Sequence, residues 1–373
     1  METPGIRSVG WLAVSLLVRW LLGWVLAWHL ALLPRISVRG DPRISVLIPA
    51  RNEATTLPHL LAALRRQRQR PLEVIVVDDH SSDGTGAIAL ERAAELPLRV
   101  ITPPPLPAGW CGKNWALHHG VQASCGEVLV FLDADTEPES DLLAHLVGLQ
   151  QQLGGLVSVQ PFHRTEKAYE QLSLLFNLVG LLAVPLGPSC GVAFGPAMAT
   201  SRRDYERSGG HLAVADKVVE DWFLGHHYEQ AGLPVSAYIG CGQISYRMYP
   251  GGLRDLVVGF DKNFATAAGE VHWPWMLAVV LWLSGLFWAA WCLPASLLGW
   301  PLLGDASPLT NGLIYAAYAL QLGWICRRVG RFRWIPLIFP VPVLFFLGVF
   351  VLAIINLERG QVQWKGRSVS TRG

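Results

Sequence analysis

Asp133 and Asp135 stand one residue apart at the end of the hydrophobic run Val128-Leu129-Val130-Phe131-Leu132. Such a run, closed by a polar turn, reads as a buried strand, so both carboxylates emerge at its carboxyl end, where open α/β sheets bind ligands. Two acids this close repel unless a cation lies between them, and a hard divalent ion with oxygen ligands is the usual partner. Alone, Asp-x-Asp is weak, because most acidic turns after strands are solvated loop. Other acidic groups keep it company. Asn52 and Glu53 follow the apolar segment Ile44–Pro49, Asp78 and Asp79 follow Leu72–Val77, and Glu220 and Asp221 open a segment that closes near Gly232. Lys113, flanked by Gly109 and Gly112 ahead of a helix, supplies a cation that could offset a diphosphate. Each has a plainer reading: a Glu-Asp pair suits the dipole at a helix start, and a loop lysine is ordinarily surface.

The elements that must position these groups alternate. Ile44–Pro49 and Leu72–Val77 read as strands, and Leu57, Leu60, Leu61 and Leu64 between them recur at helical spacing. Alternation predicts an α/β fold with a parallel sheet covered on both faces, its acidic strand ends sharing one rim. Carboxylates on that rim suit ribose hydroxyls and base N–H groups, with a metal screening the phosphates. Neither Gly-x-x-x-x-Gly-Lys-Ser/Thr nor Gly-x-Gly-x-x-Gly occurs at these strand ends, against a P-loop or dinucleotide fold. Farther on, Tyr169–Gly187 reads as a core or interfacial helix, Gly191–Met198 as a strand and turn, and Gly209-Gly210-His211 as a flexible loop.

Composition brings in a membrane. With 51% hydrophobic residues and 16 Trp in 373 residues, and a mean hydropathy of +0.34, the chain is too apolar for an ordinary soluble protein. A net charge of +2 gives no field for nucleic acid. The six scattered cysteines read as buried thiols in a reducing compartment. Val9–Leu33 is long enough to span a bilayer, and arginines after it place the following domain in the cytoplasm. Apolar stretches Trp275–Trp300, Leu309–Cys326 and Trp334–Ile355 close the chain. Pro336, Pro340 and Pro342 suit a broken helix in the last, and the basic tail is expected to return to the cytoplasm. The expected organisation is an anchor at 1–34, a cytoplasmic catalytic domain at 35–272, membrane helices at 273–357 and a polar tail at 358–373, in a multi-pass protein of the inner (plasma) membrane.

Taken together, Ile48-Pro49-Ala50-Arg51-Asn52-Glu53, Val77 to Thr85, Asp133-Ala134-Asp135 and Glu220-Asp221 resemble, in that order, family 2 glycosyltransferases with the glycosyltransferase-A fold. The resemblance covers roughly residues 43–250. It implies a glycosyltransferase-A-like, mostly parallel sheet flanked by helices, to which the hydropathy adds N-terminal and C-terminal transmembrane helices. It also implies that Pro49, Arg51, Asn52, Glu53 and Asp79 hold the uridine part of a UDP-sugar donor. Asp133 and Asp135 would bind Mg2+ or Mn2+ and the donor diphosphate. Lys113 would lie near the donor, and Asp221, beside Glu220, would be the base. Ser245–Gly252 and Gly259–Thr266 look like the subgroup that glycosylates membrane lipids, similar to bacterial carotenoid-acid (diaponeurosporenoate) glucosyltransferases. Processive synthases of the wider family carry Gln-x-x-Arg-Trp. Here the tail reads Gln361-Val362-Gln363-Trp364-Lys365, which argues against a polymerase and leaves Trp364 to cap the donor. The implied activity is inverting transfer of a hexose to an amphiphilic lipid acceptor, a carotenoid-type acid or similar. A polyprenyl-phosphate glycosyltransferase is the alternative, kept open by Arg202, Arg203, Arg247 and Lys262, and a non-catalytic membrane scaffold is the third reading.

Overall fold

A computed structural model describes residues 4–267, 273–300, 307–358, 363–364 and 367–368, with side chains for 14–260, 273–300 and 307–355. Ten strands precede the C-terminal helices: β1 (Ile44–Ala50), β2 (Glu73–Asp78), β3 (Leu98–Ile101), β4 (Val128–Leu132), β5 (Thr136–Pro138), β6 (Leu156–Gln160), β7 (Phe162–His163), β8 (Ala197–Ser201), β9 (Val235–Ile239) and β10 (Ile244–Tyr246). The helices are α1 (Pro4–Trp28), α2 (Leu57–Arg65), α3 (Thr85–Glu91), α4 (Gly112–Ala123), α5 (Leu142–Leu153), α6 (Leu174–Leu182), α7 (Arg202–Arg207), α8 (Gly210–Ala213), α9 (Glu220–Gln230), α10 (Leu253–Ala267), α11 (Trp273–Leu297), α12 (Pro308–Val329) and α13 (Pro340–Glu358). By contacts the chain divides into two units, one of residues 31–164 and 186–247, the other of 1–30, 165–185 and 248–373.

The first unit holds a seven-stranded sheet in the order β3-β2-β1-β4-β8-β6-β9 and a small sheet in the order β5-β10-β7. The large sheet is mostly parallel, with β8 antiparallel to both β4 and β6. Period-two alternation sends successive side chains to opposite faces. Val46, Ile48, Val74, Val76 and Val130 pack under α2 and α5. Leu47, Ile75, Val77, Leu129 and Phe131 pack under α4 and α9. Each fully buried aliphatic side chain contributes about 1.5–3 kcal/mol of transfer free energy, so both helix layers are held firmly. Strand order turns at β1, with β2 on one side and β4 on the other. A crevice therefore opens beyond the carboxyl ends of β1 and β4, the switch point where such sheets receive ligands.

Helices make up most of the second unit. α1 packs on α11 and α11 on α12. Between them, the buried Trp282 indole donates to Gln321 Oε1 (2.9 Å) and Gln321 Nε2 donates to Trp20 O (2.7 Å). Close approach is possible at Gly23, where a Cβ would overlap the Trp282 ring. α6 buries Leu174, Leu175, Phe176 and Leu178 within this unit, and Phe176 stacks on Phe260 of α10. Among the described residues α11 is the one helix long and apolar enough to cross a membrane; Val14–Trp28, Ala168–Leu182 and Pro340–Ile355 are shorter apolar helices.

Several expectations are corrected. Gly209-Gly210-His211 is no flexible loop: His211 is fully buried in α8 and hydrogen-bonds Tyr205 through its backbone and ring. A Cβ on Gly210 would strike the Tyr205 ring, so that glycine lets the ring close in. Within the last apolar stretch, Pro336 lies in a 3-10 turn (Ile335–Ile338), and Pro340 and Pro342 lie in the first turn of α13, where a missing N–H costs nothing. The cysteines are free, but only Cys292 and Cys326 are buried, whereas Cys125 is exposed.

Candidate active site

Two loops build one wall of the crevice. After β1 the chain reaches Asn52 at φ 56°, and after β2 it reaches His80 at φ 55°. Left-handed backbone at non-glycine residues is uncommon and needs local support. The loops supply it to each other. Asn52 N–H donates to Ser81 Oγ (3.0 Å), Ser82 N–H to Asn52 Oδ1 (2.9 Å), Glu53 N–H to Thr85 Oγ1 (2.9 Å) and Ala54 N–H to Asp83 Oδ2 (3.0 Å). Asp79 is 5% exposed and pairs with Arg51 Nη1 at 3.0 Å. Pro49 stands in register with Val77. A Cβ on Gly112, at the start of α4, would lie 2.8 Å from Asp79 Oδ2, so glycine lets the helix end approach that carboxylate.

The opposite wall starts where β4 ends. Asp133 N–H donates to Pro196 O (2.9 Å) and Thr136 Oγ1 donates to Asp133 O (2.8 Å), which closes the turn and holds Asp133 and Asp135 on the rim. Lys113 lies inside the first turn of α4 rather than in a loop ahead of it. Its Nζ is 2.8 Å from Asp133 Oδ1 and 2.8 Å from Glu220 Oε1, the latter at the start of α9. Asp221 Oδ2 accepts from Gly195 N–H (2.7 Å) and Oδ1 accepts from Trp222 N–H (2.9 Å).

The electrostatics separate these acids. Burial, with the charge of Glu220, pushes the Asp221 carboxyl up to about 7. Burial again, joined by Asp133 and Glu53, pushes Asp135 up to about 7. Burial also acts on Glu220, but the Lys113 ammonium outweighs it and holds that carboxyl below its usual value. Lys113, between two carboxylates, is driven further into its protonated form despite burial. Glu220 is therefore a committed anion, while Asp221 is poised near neutrality.

The structure thus gathers Glu53, Asp79, Lys113, Asp133, Asp135, Glu220 and Asp221 around one rim. Trp364 joins a two-residue strand pair with Arg367–Ser368, but its side chain and the rest of the tail lie outside the described residues, as do the side chains of residues 261–266 in α10, Lys262 among them. Arg202 is not available to an acceptor phosphate: it donates to Gly126 O (2.8 Å) and to Ser124 O (3.0 Å) at the end of α4. Sequence reasoning missed Gly195, whose neighbours come from segments far apart in the chain; the Phe194-Gly195-Pro196 turn was its only local signal.

Asp133 and Asp135 offer the hard oxygens that Mg2+ or Mn2+ prefers, and the negative charge felt at Asp135 is what such a cation relieves. Among the described residues no group of three or more His, Cys, Asp or Glu could hold a metal by itself. The donor set fits an ion shared between one or two carboxylates and substrate phosphates, the usual habit of Mg2+.

Comparison with known proteins points to one family. The family model described as "Glycosyl transferase family 2" matches residues 45–205. The chain is 34% identical over 341 residues to 4,4'-diaponeurosporenoate glycosyltransferase of Staphylococcus aureus (strain MRSA252), covering 88% of each chain. The same enzyme from strain USA300 matches with the same identity and coverage. Among solved structures, the mannosyltransferase PcManGT of Pyrobaculum calidifontis, in complex with GDP-Man and Mn2+, superposes with a TM-score of 0.55 at 19% identity. It covers 94% of this chain and 98% of that one. That likeness is one of fold.

Proposed function

The chain belongs to glycosyl transferase family 2, and from that premise we propose that it moves a hexose from a UDP-sugar, with inversion, to the polar end of a membrane lipid. A carotenoid-type acid is the acceptor class, because the name of the S. aureus relative denotes a carboxylate. The observation that carries the reading is the meeting of two acidic groups on one rim, Asp133 with Asp135 and Glu220 with Asp221, joined by Lys113.

In this reading Pro49, Arg51, Asn52, Glu53 and Asp79 line the nucleoside position, Lys113 lies beside the donor, and Trp364 caps it. Asp133 and Asp135 would hold the cation, which supplies Lewis-acid neutralisation of the leaving diphosphate. The acceptor oxygen forms a bond to the anomeric carbon as the carbon–oxygen bond to the diphosphate breaks, and UDP leaves with that electron pair. An alcohol acceptor passes its proton to Asp221. A carboxylate has none to lose, since its reference pKa near 4 leaves it ionised at neutral pH; Asp221 then only orients it.

Residues 1–34 and 273–357 are read as membrane segments and 35–272 as the cytoplasmic catalytic domain, ahead of a polar tail. What supports immersion is the exposed apolar surface of the helices, including Val18, Leu21, Leu277, Val280, Leu344 and Val351.

The test is incubation of the purified protein with Mn2+, a lipid extract containing a carotenoid acid, and labelled UDP-glucose, UDP-galactose or UDP-N-acetylglucosamine. Label should enter the lipid phase from one donor preferentially. No labelled lipid from any of them overturns the proposal.

A further inference from the structure

Lys113 is bound to both halves of the site at once. We propose that it is a positioning residue: its ammonium, clasped between Asp133 at the end of β4 and Glu220 at the start of α9, fixes Asp221 relative to the donor-side aspartates. This rests on the reading of Asp221 as the acceptor-side base.

A cation in the first turn of a helix opposes the helix dipole. Lys113 therefore gains nothing from α4 and is retained by its partners, each 2.8 Å away. Gly195 shows how tightly the groups converge. A Cβ there would lie 3.1 Å from Lys113 Nζ, 3.2 Å from Glu220 Oε1 and 3.3 Å from Asp221 Oδ2. The Gly195 N–H meanwhile holds Asp221 Oδ2 at 2.7 Å. One backbone point thus stands against the lysine, its acid partner and the base.

The charges around Asp221 make the role measurable. Glu220 on its own helix favours protonation of Asp221, and Lys113 from α4 opposes it. From α8 His211 also reaches the Lys113–Glu220 pair, but burial drives its ring to about 3, so it is neutral. Removing Lys113 leaves Glu220 uncompensated, and Asp221 then keeps its proton to higher pH.

The experiment follows UDP release from UDP-glucose by the full-length protein in detergent at saturating Mn2+. Water is the acceptor, since its attacking oxygen must lose a proton. Lys113→Met should move the acid limb of the kcat profile up by about one pH unit, the size expected for loss of an adjacent opposite charge. It should lower kcat by about a hundredfold while KM for UDP-glucose changes by less than about threefold, a loss specific to the transition state. Glu220→Gln should move the limb down, and the double variant should return it close to wild type, as expected for coupled neighbours. Lys113→Arg should keep the wild-type limb.

A KM raised more than about tenfold by Lys113→Met, with the limb unmoved, would mark direct donor binding and overturn the proposal. If Lys113→Met does not fold, Lys113→Gln takes its place: a raised limb with little change in KM supports the proposal and an unmoved limb overturns it. A wild type that releases no UDP removes the base reading itself, whereas an active wild type with unresponsive limbs removes only the lysine's role.

Discussion

Asp221 offers the sharpest chemistry because its protonation is set by burial and by Glu220 rather than by solvent. Its carboxyl is raised to about 7, so the ionised form that acts as a base grows as pH rises through neutrality. With an alcohol acceptor, kcat should therefore climb across about pH 6 to 8 and level off above. With a carboxylic acid acceptor the limb should be absent, because that acceptor is already ionised. Asp221→Asn should cost about 10²–10⁴ in kcat on the alcohol, the usual worth of general base catalysis, and much less on the acid. Equal losses on both would remove the base role. Asp135 carries a second expectation. A chelator should abolish transfer, and Asp135→Asn should weaken Mn2+ activation by about tenfold or more, read from metal titrations of initial rate. These acids were legible in the sequence because carboxylates at strand ends are conspicuous. The service of Gly195 and the double partnership of Lys113 were not, since each is a property of space between separate segments.

The strands and helices of the sheet unit were legible for a physical reason: apolar runs closed by polar turns and helical spacing are written locally, and β1, β2 and β4 are such runs, buried along almost their whole length. Antiparallel β8 and the small β5-β10-β7 sheet were not, because pairing direction depends on partners far along the chain. At the edge of the main sheet opposite the site, Glu73 ties β2 to its neighbours. It accepts from Ser45 Oγ (2.6 Å) and Cys125 N–H (2.7 Å) and pairs with Arg99 (2.6 Å). Burial opposes its charge, but these bonds prevail and draw the carboxyl down to about 2 from 4.5. A depressed folded value means that stabilisation is present above the unfolded value and is lost as pH falls from about 4.5 towards 2. Glu73→Gln should thus destabilise the protein at pH 7 by about 1.5–3 kcal/mol, the range for hydrogen bonds to a charged group. The difference from wild type in thermal scans should narrow on acidification through pH 4. A gap that stays constant with pH would deny the carboxylate this role. Gly126 belongs to the same junction: a Cβ there would lie 2.4 Å from Ser45 Oγ, so Gly126→Ala should destabilise by about 1–3 kcal/mol in the same scans.

Both units bury aliphatic side chains, but the helical unit also exposes many apolar ones, Leu277, Leu344 and Val351 among them, while its Gln321 is fully buried. Hydropathy marked these segments as apolar, but it could not show which polar atoms meet within them. Gln321 illustrates the difference. It is fully buried, accepts from the Trp282 indole and donates to Trp20 O, so it links α12 to α11 and α1 through one amide. In apolar surroundings a donor or acceptor stripped of its partner has no water to turn to, at a cost of about 1–3 kcal/mol per group. Gln321→Leu fills nearly the same volume yet strands the Trp282 indole N–H and removes the link to the Trp20 carbonyl, which keeps its helical bond. It should lower the thermal midpoint of the detergent-solubilised protein, while KM for the donor stays at the wild-type value, because the donor-side residues whose side chains are described belong to the other unit. Gln321→Glu retains an acceptor for the indole but loses the amide donor, so its midpoint should fall by less if it is protonated and by more once ionised. A Gln321→Leu variant as stable as wild type would mean that packing alone, without this polar link, sets the register of the three helices.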